Sequence, residues 1–163
     1  MTELARLLLP NVETTCILAA RLAPVLGRGD CLLLQGDIGA GKSAFARALI
    51  QTRMAAAGPV EDVPSPTYTL VQTYDAGPLE IWHADLYRLG DPQEAAELGL
   101  TEAFETALTL VEWPDRLGSL APDGALWLEF AHADTPGARH LTLRGQAARW
   151  AMVTDLAAQL ADA

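Results

Sequence analysis

The chain is poor in positive charge, and lysine is almost absent from it. Of its 163 residues 11 are basic and 21 are acidic, which gives a formal net charge of -10 and a pI near 4.6. A protein that holds nucleic acid by itself usually carries a basic stripe that displaces counterions from phosphates. The sequence shows no such stripe, so we expect a partner to hold any nucleic acid that this chain serves.

Cysteine is also scarce, and long apolar runs are missing. Cys16 and Cys31 are too few and too isolated for a disulfide framework or a zinc site, and we expect both to be small buried hydrophobes. No run approaches the roughly 18 apolar residues of a membrane span. Glu3 and Arg6 flank too short an apolar stretch for a signal peptide. These absences predict a cytoplasmic protein without a membrane partner.

The only lysine, Lys42, completes the most specific motif in the chain. The phosphate-loop pattern G-x-x-x-x-G-K-[ST] is matched in full by Gly36, Asp37, Ile38, Gly39, Ala40, Gly41, Lys42 and Ser43. A loop curled around a phosphate chain has room for a compact ammonium but not for a broad guanidinium, although arginine supplies the other basic residues here. The motif therefore predicts a nucleotide-binding protein, with a glycine-rich turn that holds no ligand as the plain alternative.

The sequence around the motif has the order that a phosphate loop requires. Residues 31–34 predict a buried strand, and residues 43–50 open a helix of strong helix formers. Before the loop, Asn11 is expected to cap a helix that reaches Gly27, with Pro24 as a break. After the predicted helix at 43–50, strands 68–74 and 79–84 are predicted to form a hairpin, and further strands are predicted at 109–111, 126–130 and 140–143. Helices are predicted to start at Asp91 and Thr101, and another ends the chain. The fold class is therefore α/β: a single P-loop NTPase-like domain over residues 1–163, with a central mixed sheet flanked by helices.

The loop and its helix offer the groups that a phosphate chain needs. Backbone N–H groups at the positive end of the helix cradle the β-phosphate. Lys42 is expected to reach the β- and γ-phosphates, and the Ser43 hydroxyl to ligate Mg²⁺. Mg²⁺ also takes a carboxylate at the end of a neighbouring strand. Asp85 and Glu112 each follow an apolar strand, so either acid qualifies, and the alternative for each is a solvated acid at a strand end.

Other residues near these segments have two interpretations each. Thr67, in Ser-Pro-Thr at 65–67, is a candidate for contact with the γ-phosphate or its Mg²⁺, but an ordinary proline turn explains the segment equally well. His83 is a candidate proton acceptor, although a single histidine in a strand is more often structural. Trp82 and Trp113 are expected to serve packing or partner contacts.

Four segments together carry a family resemblance. They are the phosphate loop, Ser-Pro-Thr-Tyr-Thr-Leu-Val at 65–71, His-Ala-Asp-Leu-Tyr-Arg-Leu at 83–89 and Val-Glu-Trp-Pro at 111–114, with Glu-Leu-Gly-Leu at 97–100 between the last two. In this order they resemble the TsaE family of bacterial ATPases, which assist the synthesis of N6-threonylcarbamoyladenosine on tRNA. The likeness covers nearly the whole chain. Ser43 stands where the family usually has Thr, but Ser supplies the same hydroxyl.

The resemblance implies hydrolysis of ATP with Mg²⁺ as the cofactor. It implies that Glu112 is a Mg²⁺ ligand, that Asp85 lies near the metal, and that both act with Lys42 in catalysis. It places Thr67 in a nucleotide-responsive loop and Thr15, on the N-terminal helix, near the adenine. The implied partners are the threonylcarbamoyl transferase TsaD and the scaffold TsaB, with tRNA reached only through their complex.

Competing functions remain at this point. A small-molecule kinase usually closes an Arg-bearing lid over the phosphates, but only Arg53 lies between the helix that follows the loop and Arg88. A guanine-specific GTPase reads its base with N-K-x-D, whereas the only lysine here is Lys42 and the only asparagine is Asn11. A module that senses ATP without turnover stays open.

Overall fold

A computed structural model describes residues 2–66 and 69–161 of the chain. Its strands are Thr2–Leu9 (β1), Cys31–Gln35 (β2), Val71–Ala76 (β3), Leu79–Asp85 (β4), Leu108–Glu112 (β5), Leu126–His132 (β6) and Arg139–Gly145 (β7). Its α-helices are Val12–Leu22 (α1), Lys42–Ala57 (α2), Pro92–Glu97 (α3), Leu100–Thr106 (α4) and Ala151–Ala161 (α5). Within these described ranges, no helix has both the length and the apolar character needed to cross a bilayer.

The strands form one mixed sheet in the order β1-β7-β6-β2-β5-β4-β3. β6, β2, β5 and β4 are mutually parallel, whereas β3, β7 and β1 pair antiparallel with their neighbours. Leu32 and Leu34 of β2 pack in the core on the face that carries α1, α2 and α5, and Leu33 packs on the face that carries α3 and α4. Burial on both faces explains the continuous apolar run of β2, and the predicted α/β class is confirmed.

Most of the predicted elements are present, including the hairpin, of which Tyr68 lies outside the described residues. The Asn11 cap is confirmed, because its side chain accepts a hydrogen bond from the Thr14 N–H at 2.9 Å. The helix that it caps ends at Leu22 rather than near Gly27, and Pro24 lies in a short 3₁₀ turn that follows. Proline cannot continue the hydrogen-bond ladder of the helix, so the chain turns there.

The N-terminal segment is a strand that the sequence patterns did not predict. β1 forms one edge of the sheet and pairs antiparallel with β7, at the other end of the chain. Leu7 and Leu9 are buried, whereas Leu8 between them is 59% exposed. This alternation is the period of a half-buried strand, but the three positions are all leucine, so the sequence shows no alternation of apolar and polar residues.

The register of the central strands positions the candidate acids. Leu34 of β2 lies opposite Glu112 of β5, and Glu112 lies opposite Asp85 of β4. The three strands are parallel, so their carboxyl ends meet at one edge of the sheet, where β2 also enters the phosphate loop. Both acids therefore reach the edge from which Lys42 and α2 begin.

Candidate functional site

The loop between β2 and α2 holds a backbone shape that only glycine tolerates well. Gly36 has a φ of +152°, and a Cβ there would lie 2.5 Å from the Phe130 carbonyl oxygen of β6. Gly41 has a φ of +108° and caps the first turn of α2. L-residues rarely adopt such angles, so the glycines of the motif fix the loop against β6 and start the helix.

Lys42 is buried at the base of this loop, with 4% of its surface exposed. Its Nζ donates a hydrogen bond to the Gly36 carbonyl at 2.5 Å and lies 3.6 Å from the centroid of the Trp113 ring. Burial lowers the pKa of the Lys42 ammonium, and the nearby Glu112 and Asp85 charges oppose that shift. An ammonium stripped of water in this way gains strongly from an anionic ligand.

Ser43, Glu112 and His83 form a hydrogen-bonded chain under the loop. The Ser43 hydroxyl donates to Glu112 Oε1 at 3.0 Å, and Glu112 Oε2 lies 2.7 Å from His83 Nε2. Glu112 is 2% exposed and His83 is 1% exposed. Both oxygens of the carboxylate are thus held in place, so its orientation is fixed before any ligand arrives.

Asp85 lies beside Glu112, with 5% of its surface exposed. Its Oδ1 accepts a hydrogen bond from the Tyr87 N–H at 3.0 Å, which fixes the turn after β4. The Tyr87 ring packs against the Trp113 ring with centroids 4.9 Å apart. Trp113 itself has a φ of +59°, in the left-handed region that a bulky residue seldom adopts. The two rings form a wall next to Lys42.

These groups open into one cavity of about 520 Å³. Its lining includes most of the predicted site residues, namely Thr15, Ile38, Gly39, Gly41, Lys42, Ser43, Asp85 and Glu112. The other three loop residues, Gly36, Asp37 and Ala40, do not line it. Ser65 lines it as well, while Thr67 lies outside the described residues, so its predicted role stays a prediction. Residues of α1 and of the entry to β7 also line it, namely Val12, Gly137 and Arg139.

The donor set at the phosphate end suits Mg²⁺ in particular. Among residues 2–66 and 69–161, no group of three or more His, Cys, Asp or Glu side chains is arranged to hold a metal ion alone. Mg²⁺ usually binds through one or two carboxylates together with substrate phosphates and water. Glu112, Asp85 and the Ser43 hydroxyl fit that pattern, and a bound nucleotide would supply the remaining oxygens.

Sequence reasoning missed three features of the site. It assigned Trp113 to packing or partner contacts, and the ring does pack, but it also covers the Lys42 ammonium. It did not connect His83 to Glu112, which are 29 residues apart on neighbouring strands. It drew nothing from Arg139, whose guanidinium donates to the Gly39 carbonyl across 100 residues of chain. Only the position of Trp113 directly after Glu112 offered a local signal.

Comparison with known proteins finds a family and several relatives that match most of this chain. A sequence model of the family described as threonylcarbamoyl adenosine biosynthesis protein TsaE matches residues 9–141. The tRNA threonylcarbamoyladenosine biosynthesis protein TsaE of Rickettsia felis is 44% identical over 67% of this chain and 62% of its own length. The protein of the same name from Bacillus subtilis is 35% identical over 76% of this chain and 75% of its own.

A solved structure agrees with these sequence matches. The crystal structure of Bacillus subtilis YdiB superposes with a TM-score of 0.76, at 25% identity, over 95% of this chain and 94% of that one. The match to the Rickettsia felis relative leaves more than a third of that protein uncovered, since it spans 62% of its length. The solved structure therefore shares the overall fold of this chain.

Proposed function

The chain belongs to the TsaE family, and from that premise we propose that it is a Mg²⁺-dependent ATPase that serves the synthesis of N6-threonylcarbamoyladenosine on tRNA. One observation carries the proposal. The Ser43 hydroxyl after the phosphate-loop lysine is hydrogen-bonded at 3.0 Å to the buried Glu112 carboxylate at the end of a neighbouring strand. In P-loop ATPases, a hydroxyl and an acid in these places hold Mg²⁺ against the β- and γ-phosphates.

The residues divide the work by their chemistry. Lys42 places its ammonium against the β- and γ-phosphates, once they replace the Gly36 carbonyl as its partner. The first backbone N–H groups of α2 donate to phosphate oxygens at the positive end of the helix. Glu112 and Ser43 would hold the metal, which would neutralise charge on the transferred phosphoryl group. Asp85 orients the turn beside it, and the Trp113 ring, against which Tyr87 packs, covers the Lys42 ammonium.

The proposed partners are the transferase TsaD and the scaffold TsaB, with tRNA reached only through their complex. The net charge of -10 supports this division of labour, because an acidic chain repels the phosphates of a free tRNA. Arg88 lines the cavity, and Arg116 is not among its described lining residues. An arginine finger is worth roughly 10³–10⁵ in rate where a GTPase gains one. No arginine of this chain is obviously placed as such a finger, so we expect slow turnover of ATP by the chain alone and faster turnover in the complex.

The experiment is an ATPase assay of the purified chain with Mg²⁺, with and without TsaD and TsaB. We expect a rate well below the ~10 s⁻¹ typical of enzymes for the chain alone, and a clear rise on addition of both partners. The same tagged chain should retain TsaD and TsaB on an affinity resin in an ATP-dependent manner. An ATPase rate near ~10 s⁻¹ for the chain alone would contradict the partner assignment. Failure of the chain to bind ATP would contradict the proposal as a whole.

A further inference from the structure

The connection of residues 58–66, which follows α2, reaches the cavity without regular structure of its own. Its prolines at positions 59, 64 and 66 have no backbone N–H to donate. From Pro59 to Pro64, no hydrogen bond between backbone groups is found in the part of the chain that the structure describes. Ser65 nevertheless lines the cavity. Side chains from another element must therefore hold this connection in place.

Two side chains of α2 bind the connection. Arg47 Nε donates to the Val63 carbonyl at 3.1 Å. Gln51 Nε2 donates to the Glu61 carbonyl at 3.3 Å. The two donors are four residues apart, so they lie on one face of the helix and about 6 Å apart along its axis. Two residues of extended chain cover nearly the same distance, about 6.6 Å. The connection therefore runs antiparallel to α2, back toward the phosphate loop.

The same progression leads from these two contacts to the proposed metal site. One more step of four residues on α2 and two on the connection pairs position 43 with position 65, and Ser43 and Ser65 both line the cavity. The chain is tied to the site again before β3, because the Asp85 N–H donates to the Leu70 carbonyl at 2.8 Å. Val63 and Leu70 are thus attached to α2 and β4, the elements that carry two of the groups proposed to surround Mg²⁺.

We propose that Arg47 is a positioning residue for ATP hydrolysis, which holds Ser65 beside Ser43 through the Val63 carbonyl. The assignment rests on the proposed function, because it takes the metal to lie at Ser43 and Glu112. The contact uses one N–H group of Arg47, and none of the salt bridges among the described residues includes its guanidinium. The position therefore requires an N–H donor rather than a positive charge.

Two substitutions of similar length separate the hydrogen bond from the charge. Arg47→Met removes the donor, whereas Arg47→Gln places an amide nitrogen as many bonds from Cα as the arginine Nε. Arginine, methionine and glutamine are all strong helix formers, so α2 should persist in both variants. Arg53→Met is the matched control. Arg53 lies on the same helix and donates to the Ala23 and Leu26 carbonyls at 2.8 and 2.7 Å, neither of which belongs to the connection or the cavity lining.

The test measures ATP hydrolysis by the full chain with Mg²⁺, under excess protein so that one slow cycle suffices, and ADP binding by calorimetry. Arg47→Met should lower the hydrolysis rate by about 10-fold or more, since a misplacement of about 1 Å can cost up to about 10²-fold. Its ADP affinity should match the wild type, because Lys42 and the phosphate loop are unchanged. Arg47→Gln should restore the rate. Arg53→Met should lower the melting temperature but keep the wild-type rate and ADP affinity.

Four outcomes would overturn the proposal. The first is a wild-type hydrolysis rate in Arg47→Met. The second is an Arg47→Gln variant as slow as Arg47→Met, because the charge would then be what the position requires. The third is an equal loss of rate and ADP affinity in Arg47→Met, which would show general damage to the phosphate loop. The fourth is a slowed Arg53→Met, since any loss of stability would then slow hydrolysis. Wild-type protein that neither binds ADP nor hydrolyses ATP contradicts the proposed function itself, which is a separate result.

Discussion

The Ser43 hydroxyl and the Glu112 carboxylate are hydrogen-bonded at 3.0 Å although 69 residues separate them in the sequence. Ser43 lies in the first turn of α2, and Glu112 ends β5, the neighbour of the strand that leads into the loop. The parallel pairing of β2 and β5 brings these two places together. The bond therefore depends on the sheet register as much as on the motif.

Loss of the only ammonium in the loop should remove tight nucleotide binding. Lys42→Ala is expected to weaken ATP binding by about 10- to 100-fold or more, the scale of a lost hydrogen bond to a charged group. Lys42→Arg should fail nearly as badly, because a guanidinium does not fit the space between the Gly36 carbonyl and the Trp113 ring. Calorimetric titration with ATP measures both. Arg21→Ala, at an exposed position of α1, is the control, and wild-type affinity in the Arg variant would refute the geometric argument.

Removal of the imidazole under Glu112 should disturb the metal more than the nucleotide. His83→Ala leaves Glu112 Oε2 without its 2.7 Å partner, and losses of about 10- to 100-fold in metal affinity are common when such a supporting group is removed. We expect a raised Mg²⁺ requirement, together with a loss of about 1–3 kcal/mol in unfolding free energy from the unsatisfied buried oxygen. ATP binding without Mg²⁺ should change little.

The control for that experiment is His132→Ala, because His132 is exposed at the end of β6. A Mg²⁺ dependence in the His83 variant equal to that of the wild type would show that the carboxylate does not need the imidazole to hold its position. Urea denaturation of each variant measures the stability separately, so a general loss of fold is distinguished from a local change at the metal.

The close approach of the loop to β6 should make Gly36 irreplaceable. Gly36→Ala places a Cβ 2.5 Å from the Phe130 carbonyl at an unfavourable φ, and strain of this kind costs of order 1–3 kcal/mol. We expect a lower melting temperature and weaker ATP binding. Gly27→Ala is the matched control, since a Cβ there meets nothing within 4 Å. If the Gly36 and Gly27 variants have the same melting temperature, the loop does not hold the position described.

The two cysteines should differ sharply in reactivity. Burial raises the pKa of the Cys31 thiol to about 12, so almost no thiolate, the reactive form, exists at about pH 8. Cys16 is only half-buried. Iodoacetamide should therefore label the native protein at Cys16 alone and the denatured protein at both, as read by mass spectrometry. Rapid labelling of native Cys31 would mean that β2 is not buried as described.

The sequence predicted the parts of the site that local chemistry determines. The motif located Lys42 and Ser43, and the end of an apolar run located Glu112. What it could not supply are contacts set by strand order and register. The pairing of His83 with Glu112 needs β4 beside β5, and the reach of Arg139 to Gly39 needs the antiparallel β7 folded back beside β6. β1 escaped notice because its buried and exposed positions, Leu7, Leu8 and Leu9, are all leucine and show no alternation in the sequence.

The role of Glu112 is tested most directly by Mg²⁺ titration of the ATPase rate in two variants of matched shape, Glu112→Gln and Asp85→Asn. The amide at position 112 keeps one acceptor oxygen but removes the negative charge that holds a hard cation. We expect Glu112→Gln to bind ATP and to lose Mg²⁺-dependent hydrolysis. Asp85→Asn should lower the Mg²⁺-dependent ATPase rate by about 10- to 100-fold, because Asp85 supports the site without holding the metal alone. A raised Mg²⁺ requirement in Asp85→Asn, with the wild-type dependence kept in Glu112→Gln, would contradict this assignment.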